Sequence, residues 1–498
     1  PYRLSGIQLH HFLQGLRQLA RVDEPDFNNK QSFSEDDNFK IYIPIAILYL
    51  NLVTNYHRHV SKKHLLTFLC KIRQGLSDDF LRVMFKFNSR QAVNHAITTV
   101  RRSLMSCFVP YNIGVNTITR EQYIERHVTD FANELYNPNP NVRVAIAYVD
   151  GTYVYINKCS NFRALRQSFS KHKGRHLIKP ALVVAPDGYI LDIHGPYFSD
   201  SRNDASMIVN EMDVGLQEWF NNGDILIVDR GYSDALPFLE NLGINCKMPT
   251  LLQRGQRQLN TDEANDSRLI TKTRWIVEAR NGHIKSVFKF FEKTVHMNHA
   301  INIGDFYRIA GAILNKYQKP IVIEGANAEL AQIILQKSRV PNVVQIRIEI
   351  DNLHIRNARW IHLNANHVPY FPRLNLNYLK ELTVGIYQIH LAPAYFQDKL
   401  QREQTEVFEL DELKDERGLI RVRIYSRFRN ATKYQLWIAY IADDVNQQTS
   451  EEVSREAEHD EPILGYYCTC KTGARTLGSC AHIASILWFL GYARHQPR

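Results

Sequence analysis

The sequence predicts a multidomain α/β protein: a central α/β core, a helical part before it and an α+β part after it. Three observations carry this. Two near-continuous apolar runs, Val144-Ala-Ile-Ala-Tyr-Val149 and Ile225-Leu-Ile-Val228, read as strands and each stops at an aspartate. Ahead of residue 140 the apolar spacing is helical. Beyond about residue 320 alternating segments return, notably Arg421–Tyr425 and Gln435–Tyr440. At 498 residues the chain is long enough for about two to four domains.

Composition narrows the class. Hydrophobic content of 44% with 22% charged residues is that of a globular protein. The 61 Lys and Arg against 51 Asp and Glu leave a modest +10, consistent with a polyanionic partner without demonstrating one. Seven cysteines, an odd number and mostly scattered, argue against a secreted disulfide framework and for a reducing compartment. The longest apolar stretch, Ile41–Val53, contains Pro44 and Asn51 and is too short to span a bilayer, so no membrane partner is expected. The chain opens at Pro1 rather than a methionine, which leaves room for a further N-terminal segment.

The elements follow in order. Residues 1–60 form a helical N-terminal region with Asp23–Asp37 as a polar loop. Residues 61–140 hold helices at His64–Leu69, Phe80–Phe85 and Ser89–Leu104. Ser89 is a plausible N-cap, with Val93, Ile97 and Val100 on one face. This pattern fits a helix-turn-helix-like DNA-binding region presenting Arg90, Arg101 and Arg102; a helical bundle with solvated arginines fits equally. Pro138, Asn139 and Pro140 then punctuate the chain. Within 141–318 the Asp150 strand is followed by a strand at Thr152–Ile156. Strands at Leu177–Ala185 and Tyr189–Ile193 are joined at Asp187-Gly188, a hairpin signal. Ala205–Phe220 reads as a helix, then come the Ile225 strand, a helix from about Ser233 and a long helix over Thr273–Phe291. Strands, helix, strand and a later helix are the order expected of a ribonuclease H-like core. Residues 319–442 form an α+β region in which Val344–Ile350 alternates like a half-buried strand. Residues 443–464 read as an acidic linker, since Asp443–Glu461 holds eight acids against one arginine. Residues 465–498 form a small C-terminal module.

Chemistry concentrates on three carboxylates. Asp150 and Asp229 end strands, and Glu278 lies in the helical stretch Thr273-Arg-Trp-Ile-Val-Glu-Ala-Arg280. Two acids on strand ends and one on a later helix can converge on a pair of divalent cations about 4 Å apart, which clamp the attacking and leaving oxygens of a phosphodiester. Mg2+ or Mn2+, two per site, suits such ligands. Each acid also has an ordinary explanation: Asp150-Gly151 as a turn, Asp229 as a strand-end acid before Gly231, and Glu278 as an i,i+4 partner of Arg274. Basic surroundings favour the functional one. Asn161–Pro180 carries Arg163, Arg166, Lys171, Lys173, Arg175 and Lys179 with no acid, and the helix carries Arg274, Arg280, Lys285 and Lys289. Cations beside an acidic metal site make sense for a phosphate-chain substrate.

Specific motifs carry a resemblance. They are Tyr148-Val-Asp-Gly-Thr152, Ser170-Lys-His-Lys173 with Ala185-Pro-Asp-Gly188, Ser201-Arg-Asn-Asp204, Val228-Asp-Arg-Gly-Tyr232, and Arg274-Trp-Ile-Val-Glu278 with Lys285. Residues 143–317 resemble the catalytic domain of DDE transposases of the PIF/Harbinger and ISL2EU side. The resemblance implies that Asp150, Asp229 and Glu278 are the DDE triad, and that Asp204 matches a recurrent family aspartate outside the three. It implies cut-and-paste transposition on double-stranded DNA at transposon terminal repeats, with the freed 3′-hydroxyl attacking target DNA. It also implies a homodimer or larger assembly on DNA and a nuclear location.

The C-terminal module holds a second constellation. Cys468-Thr-Cys470 is followed after nine residues by Cys480-Ala-His482. Three thiolates and an imidazole make a closed tetrahedral site for one structural Zn2+. Gly473 and Gly478 in the intervening loop suit a tight fold-back, and a helix over Ile483–Leu490 supplies apolar support. The arrangement resembles a SWIM zinc finger, a module that also occurs with Mutator-type transposases. With Lys471, Arg475, Arg494 and Arg498 and no acid from Gly465 onward, it is expected to bind DNA. Cys70, Cys107, Cys159 and Cys246 read as free core thiols. Two alternatives to the transposase remain: a domesticated DNA-binding regulator, and a metal-dependent nuclease that cuts without joining.

Overall fold

A strand with no polar face must be covered on both sides, and the run before Asp150 forms the middle of a sheet. The computed structural model describes residues 60–198, 204–321, 325–355, 359–364, 368, 370–385, 387–402, 408–426, 432–442 and 461–496. The chain divides into two compact units, Pro1–His57 and Arg58–Arg498, and the described residues all belong to the second. The expectations for residues 1–57, including Ile41–Val53, and for the acidic stretch 443–460 lie outside the described residues. No helix among the described residues is long and apolar enough to cross a membrane.

The first sheet contains β1 (Ile146–Gly151), β2 (Val154–Tyr155), β3 (Phe169–Ser170), β4 (Arg175–Val184), β5 (Ile190–Phe198), β6 (Ile225–Ile227) and β7 (Asn245–Lys247). Its main order is β5–β4–β1–β6–β7, with β2 and β3 also on β4. β4 runs antiparallel to its neighbours β5 and β1, whereas β1, β6 and β7 run parallel. The turn between β4 and β5 falls at Asp187-Gly188, as the dipeptide predicts. Gly188 has φ +82°, and a Cβ there would collide with Arg280.

Asp224 anchors the parallel pair. It is fully buried at the start of β6, where both its oxygens accept from Arg120 (Nε 2.8 Å, Nη2 2.5 Å). They also accept from the backbone N–H groups of Ala145, 2.9 Å, and Asn221, 2.7 Å. A charge so fully satisfied ties the entry of β1 to that of β6.

Helices clothe this sheet. Helices Lys62–Gln74, Asp78–Met84 and Arg90–Cys107 precede it, and Ser89 caps the third by accepting from the Ala92 N–H. Val93, Ile97 and Val100 are buried as the spacing predicts. The third helix packs against helix Ile303–Tyr317, which lies on β5 and approaches it at Gly311, where a Cβ would meet Ile193. The expected helix Ala205–Phe220 is broken: Asp204–Glu211 is helical, a wider turn spans Met212–Leu216, and Gly215 has φ +126°. The expected long helix starts at Thr261 rather than Thr273 and ends at Val287. A capping box, Asn260 with Glu263, sets that start.

The second sheet is antiparallel in the order β12–β11–β10–β9–β8: β8 (Trp360–Leu363), β9 (Glu409–Leu413), β10 (Leu419–Tyr425), β11 (Lys433–Tyr440) and β12 (Ile463–Cys468). β12 belongs to the C-terminal segment, so 319–442 and 465–498 share one sheet and one core, from Leu410 and Val422 to Ile483 and Leu487. The alternating Val344–Ile350 is not a strand. It lies in a helix, Val343–Ile350, capped by Asn342, whose side chain accepts from the Gln345 N–H. Val344 and Ile348, one turn apart, reach the core while Ile346 and Ile350 stay exposed. Residues two apart in a helix point to opposite faces, so only alternate members of the apolar run are buried together, and the Asn342 cap starts the helix that makes this so.

Replacing Asp224 by Ala should destabilise the folded chain by about 3–5 kcal/mol, because it strands a half-buried arginine and the Ala145 and Asn221 N–H groups. Chemical denaturation measures this. A loss within the error of the melt would contradict the anchoring role.

Candidate active site and cysteine cluster

The strand register brings two of the acids together. In the parallel pair Ile146 faces Ile225, Ala147 faces Leu226 and Tyr148 faces Ile227. Two residues further along lie Asp150, still within β1, and Asp229, two residues past the end of β6. Asp229 keeps extended backbone (φ −84°, ψ 167°) before the chain turns into Arg230–Ala235, and its own side chain accepts from the Arg230 N–H at 2.8 Å. Asp150 belongs to β1 itself and is not a hairpin turn. Both acids sit at the carboxyl ends of buried strands, where the backbone is held and the side chains reach toward solvent.

Glu278 arrives from helix Thr261–Val287, which packs against β1 and β4. What joins it to the aspartates is Arg274. The guanidinium Nη2 donates to Glu278 Oε1 at 2.5 Å and stands 3.8 Å from Asp229 Oδ2. Nη1 stands 3.6 Å from Asp150 Oδ1. The i,i+4 pairing with Glu278 is real, and it extends to both strand acids. One cation thus touches all three carboxylates that the sequence singled out. An all-oxygen donor set of this kind suits hard divalent ions such as Mg2+ or Mn2+. The three are gathered about Arg274 rather than about one another: among the described residues, only the cysteine cluster below has ligand atoms mutually close enough for one ion.

The other predicted cations separate into two groups. Lys285, two turns beyond Glu278, donates to Thr152 Oγ1 at 2.6 Å. Burial pulls its ammonium pKa down, against the upward pull of the Asp150 charge. Lys171 and Lys173 are exposed on the turn before β4. Lys173 lies 5.0 Å from the Tyr153 ring, and the Arg175 guanidinium lies 4.0 Å from the Tyr155 ring. Arg90 is exposed and 3.0 Å from Asp79, and Arg102 is exposed. Two candidates for DNA contact are instead structural. Arg101 is buried in an ion pair with Asp305. Arg280 is buried and donates to the Gly188 carbonyl at 2.5 Å and to Gln318 at 3.0 Å. Neither can reach a phosphate. Asp204 is the first residue of its helix; the preceding Ser199–Asn203 segment lies outside the described residues.

At the C-terminus Cys468, Cys470, Cys480 and His482 are all buried, with their ligand atoms within 4.8 Å of one another. β12 delivers the first, and helix Ala481–Gly491 begins at the last pair. Gly473 makes the return possible, since a Cβ there would run into the Cys468 carbonyl. Burial and the neighbouring sulfurs push the Cys468 thiol pKa well up. Cys480, also buried, is drawn well down by hydrogen bonds from the other two thiols and His482. His482 Nδ1 lies 3.8 Å from Cys468 Sγ. A compact set of three sulfurs and one imidazole nitrogen in this geometry could bind zinc.

Sequence reasoning missed how this cluster is tied to the helix of Glu278. Gln258 Nε2 donates to the carbonyls of Cys468 (2.6 Å) and Cys470 (2.7 Å), and the Leu259 N–H donates to the Lys471 carbonyl (3.0 Å). Asn265, fully buried in the second turn of the helix, accepts from the N–H groups of Thr476 and Leu477, each at 2.9 Å. Its amide donates to Ser338 O at 2.7 Å and Thr476 Oγ1 at 2.9 Å. Polar residues just before a capping box were the available signal, but spacing alone cannot point them at a partner 211 residues away.

Cys470→Ser should therefore take one of the four potential zinc ligands from the cluster, lowering zinc uptake, and also loosen the first turns of the Glu278 helix. Metal analysis and hydrogen exchange over residues 261–272 report both. Zinc loss with unchanged exchange there would disprove the coupling.

No curated protein matches the chain. Residues 149–315, the segment carrying Asp150, Asp229 and Glu278, match a family model described as a DDE superfamily endonuclease, so this segment is similar to DDE superfamily endonucleases.

Proposed function

We propose that this chain is a DNA transposase. It would cut at transposon terminal repeats and join the freed 3′-hydroxyl to target DNA. The observation that carries the reading is the β1–β6 register, which supports Asp150 and Asp229 as a rigid pair, with Glu278 reaching the same guanidinium. These three residues would hold two Mg2+ or Mn2+ ions. When bound, the ions supply an activated water and stabilise the leaving oxygen. The chain's own part is positional. Strands fix two acids, a helix braced at its start brings the third, and the exposed Lys171, Lys173 and Arg175 offer charge to a phosphate backbone.

Three antiparallel strands followed by two parallel ones support a ribonuclease H-like core. The buried C-x-C and C-x-H pairs support a SWIM-type finger with one structural Zn2+. The PIF/Harbinger assignment rests on the motifs around the acids. Two transposon ends need two active sites, so a homodimer on DNA, in the nucleus, belongs to the same reading.

Asp150→Ala, Asp229→Ala and Glu278→Ala should each lower cleavage of a labelled transposon end by about a thousandfold or more while DNA affinity stays within a few-fold. Normal cutting by any one of them would refute the role assigned to that residue. Incubating a pre-cut labelled end with target plasmid tests joining. Cleavage without joined product would indicate a nuclease, and binding without cleavage a DNA-binding regulator.

A further inference from the structure

Arg274 occupies the place where the three acids converge. Its side chain is 14% exposed, and its contacts are uneven. Only the Glu278 contact has the length of a strong charge-assisted hydrogen bond. The two aspartates are held at longer, purely Coulombic range. Nη1 is a buried donor with no hydrogen-bond acceptor, which is an unfavourable state for a guanidinium. The arrangement is therefore selected by charge and not by fit: one positive group is spread over three negative ones.

We infer that Arg274 is a displaceable counter-cation that competes with divalent ions for the Asp150, Asp229 and Glu278 carboxylates. The inference rests on the metal-binding part of the proposed function. One guanidinium leaves the trio with a net negative charge, which a pair of divalent ions would more than neutralise. Coulomb attraction therefore favours exchange. The guanidinium also explains why the carboxylates surround a centre instead of one another, since its planar fork is wider than a single ion. Glu278, the most exposed of the three acids, stands on the same helix one turn from Arg274, so both side chains can swing without any backbone movement. Lys285 cannot replace Arg274, because its ammonium is engaged by Thr152.

The test is Mn2+ binding by the full, zinc-loaded chain without DNA, followed by the electron paramagnetic resonance signal of free Mn2+. Arg274→Gln should bind Mn2+ at least about tenfold more tightly than the unaltered chain. Its metal-free melting temperature should fall, and Mn2+ should raise that temperature by more than it does in the unaltered chain. Arg274→Lys keeps the charge but loses the fork and should fall between the two in affinity. It also serves if the glutamine variant does not fold. Equal or weaker Mn2+ affinity in both variants, with the unaltered chain binding normally, would overturn the inference and leave the metal site standing. Absence of Mn2+ binding in the unaltered chain and variants alike, or binding unaffected by Asp150→Asn, would overturn the metal site and the inference with it.

Discussion

Three carboxylates brought to one end of a sheet repel one another, and the architecture at that end is shaped by how the repulsion is met. Asp150 and Asp229 are kept close, because both follow two residues after the last pair of the parallel β1–β6 ladder, Tyr148 with Ile227. Glu278 has more freedom, but its helix is packed onto the same strands. The charge needed to hold the three together comes from Arg274, one helical turn from Glu278. A surface ion pair of this spacing would contribute little. Here one guanidinium serves three acids while itself mostly buried, so its electrostatic weight is larger and less screened.

The same helix is held firmly at its other end. Its capping box and first turns meet the cysteine cluster through Gln258, Leu259 and Asn265, each bonding to backbone between Cys468 and Leu477. Three buried thiols and an imidazole with ligand atoms within 4.8 Å of one another form a set that a single cation could bind. The two constellations are thus the two ends of one physical problem. Potential metal ligands are collected by the fold at both places, and one helix connects them. Fully satisfied amides such as Asn265 make that connection specific, because loss of any one bond leaves a buried polar atom unpaired.

Much of the fold was legible because local rules and tertiary packing agreed. Ser89 caps its helix, Gly188 turns its hairpin, and the runs ending at Asp150 and Asp229 are strands. Where they disagreed, the reason is visible. Val344–Ile350 alternates like a strand, but an asparagine cap and two core contacts one turn apart make it a helix. Arg101 and Arg280 look like phosphate ligands in a basic stretch, yet Asp305 and the Gly188 carbonyl bury them. The tail read as a separate module, whereas β12 donates its backbone to the second sheet.

The amino-acid sequence alone determined which groups could do chemistry: three acids at strand and helix positions, and three cysteines with a histidine at ligand spacing. These are properties of residue type and local periodicity. The tertiary structure alone decided what stands between those groups. That Arg274 serves all three acids, that Arg280 serves none, and that Asn265 grips the cysteine loop all depend on side-chain directions and on contacts between residues far apart in the chain. No short-range pattern encodes such contacts, because they arise only when separate elements are packed against each other.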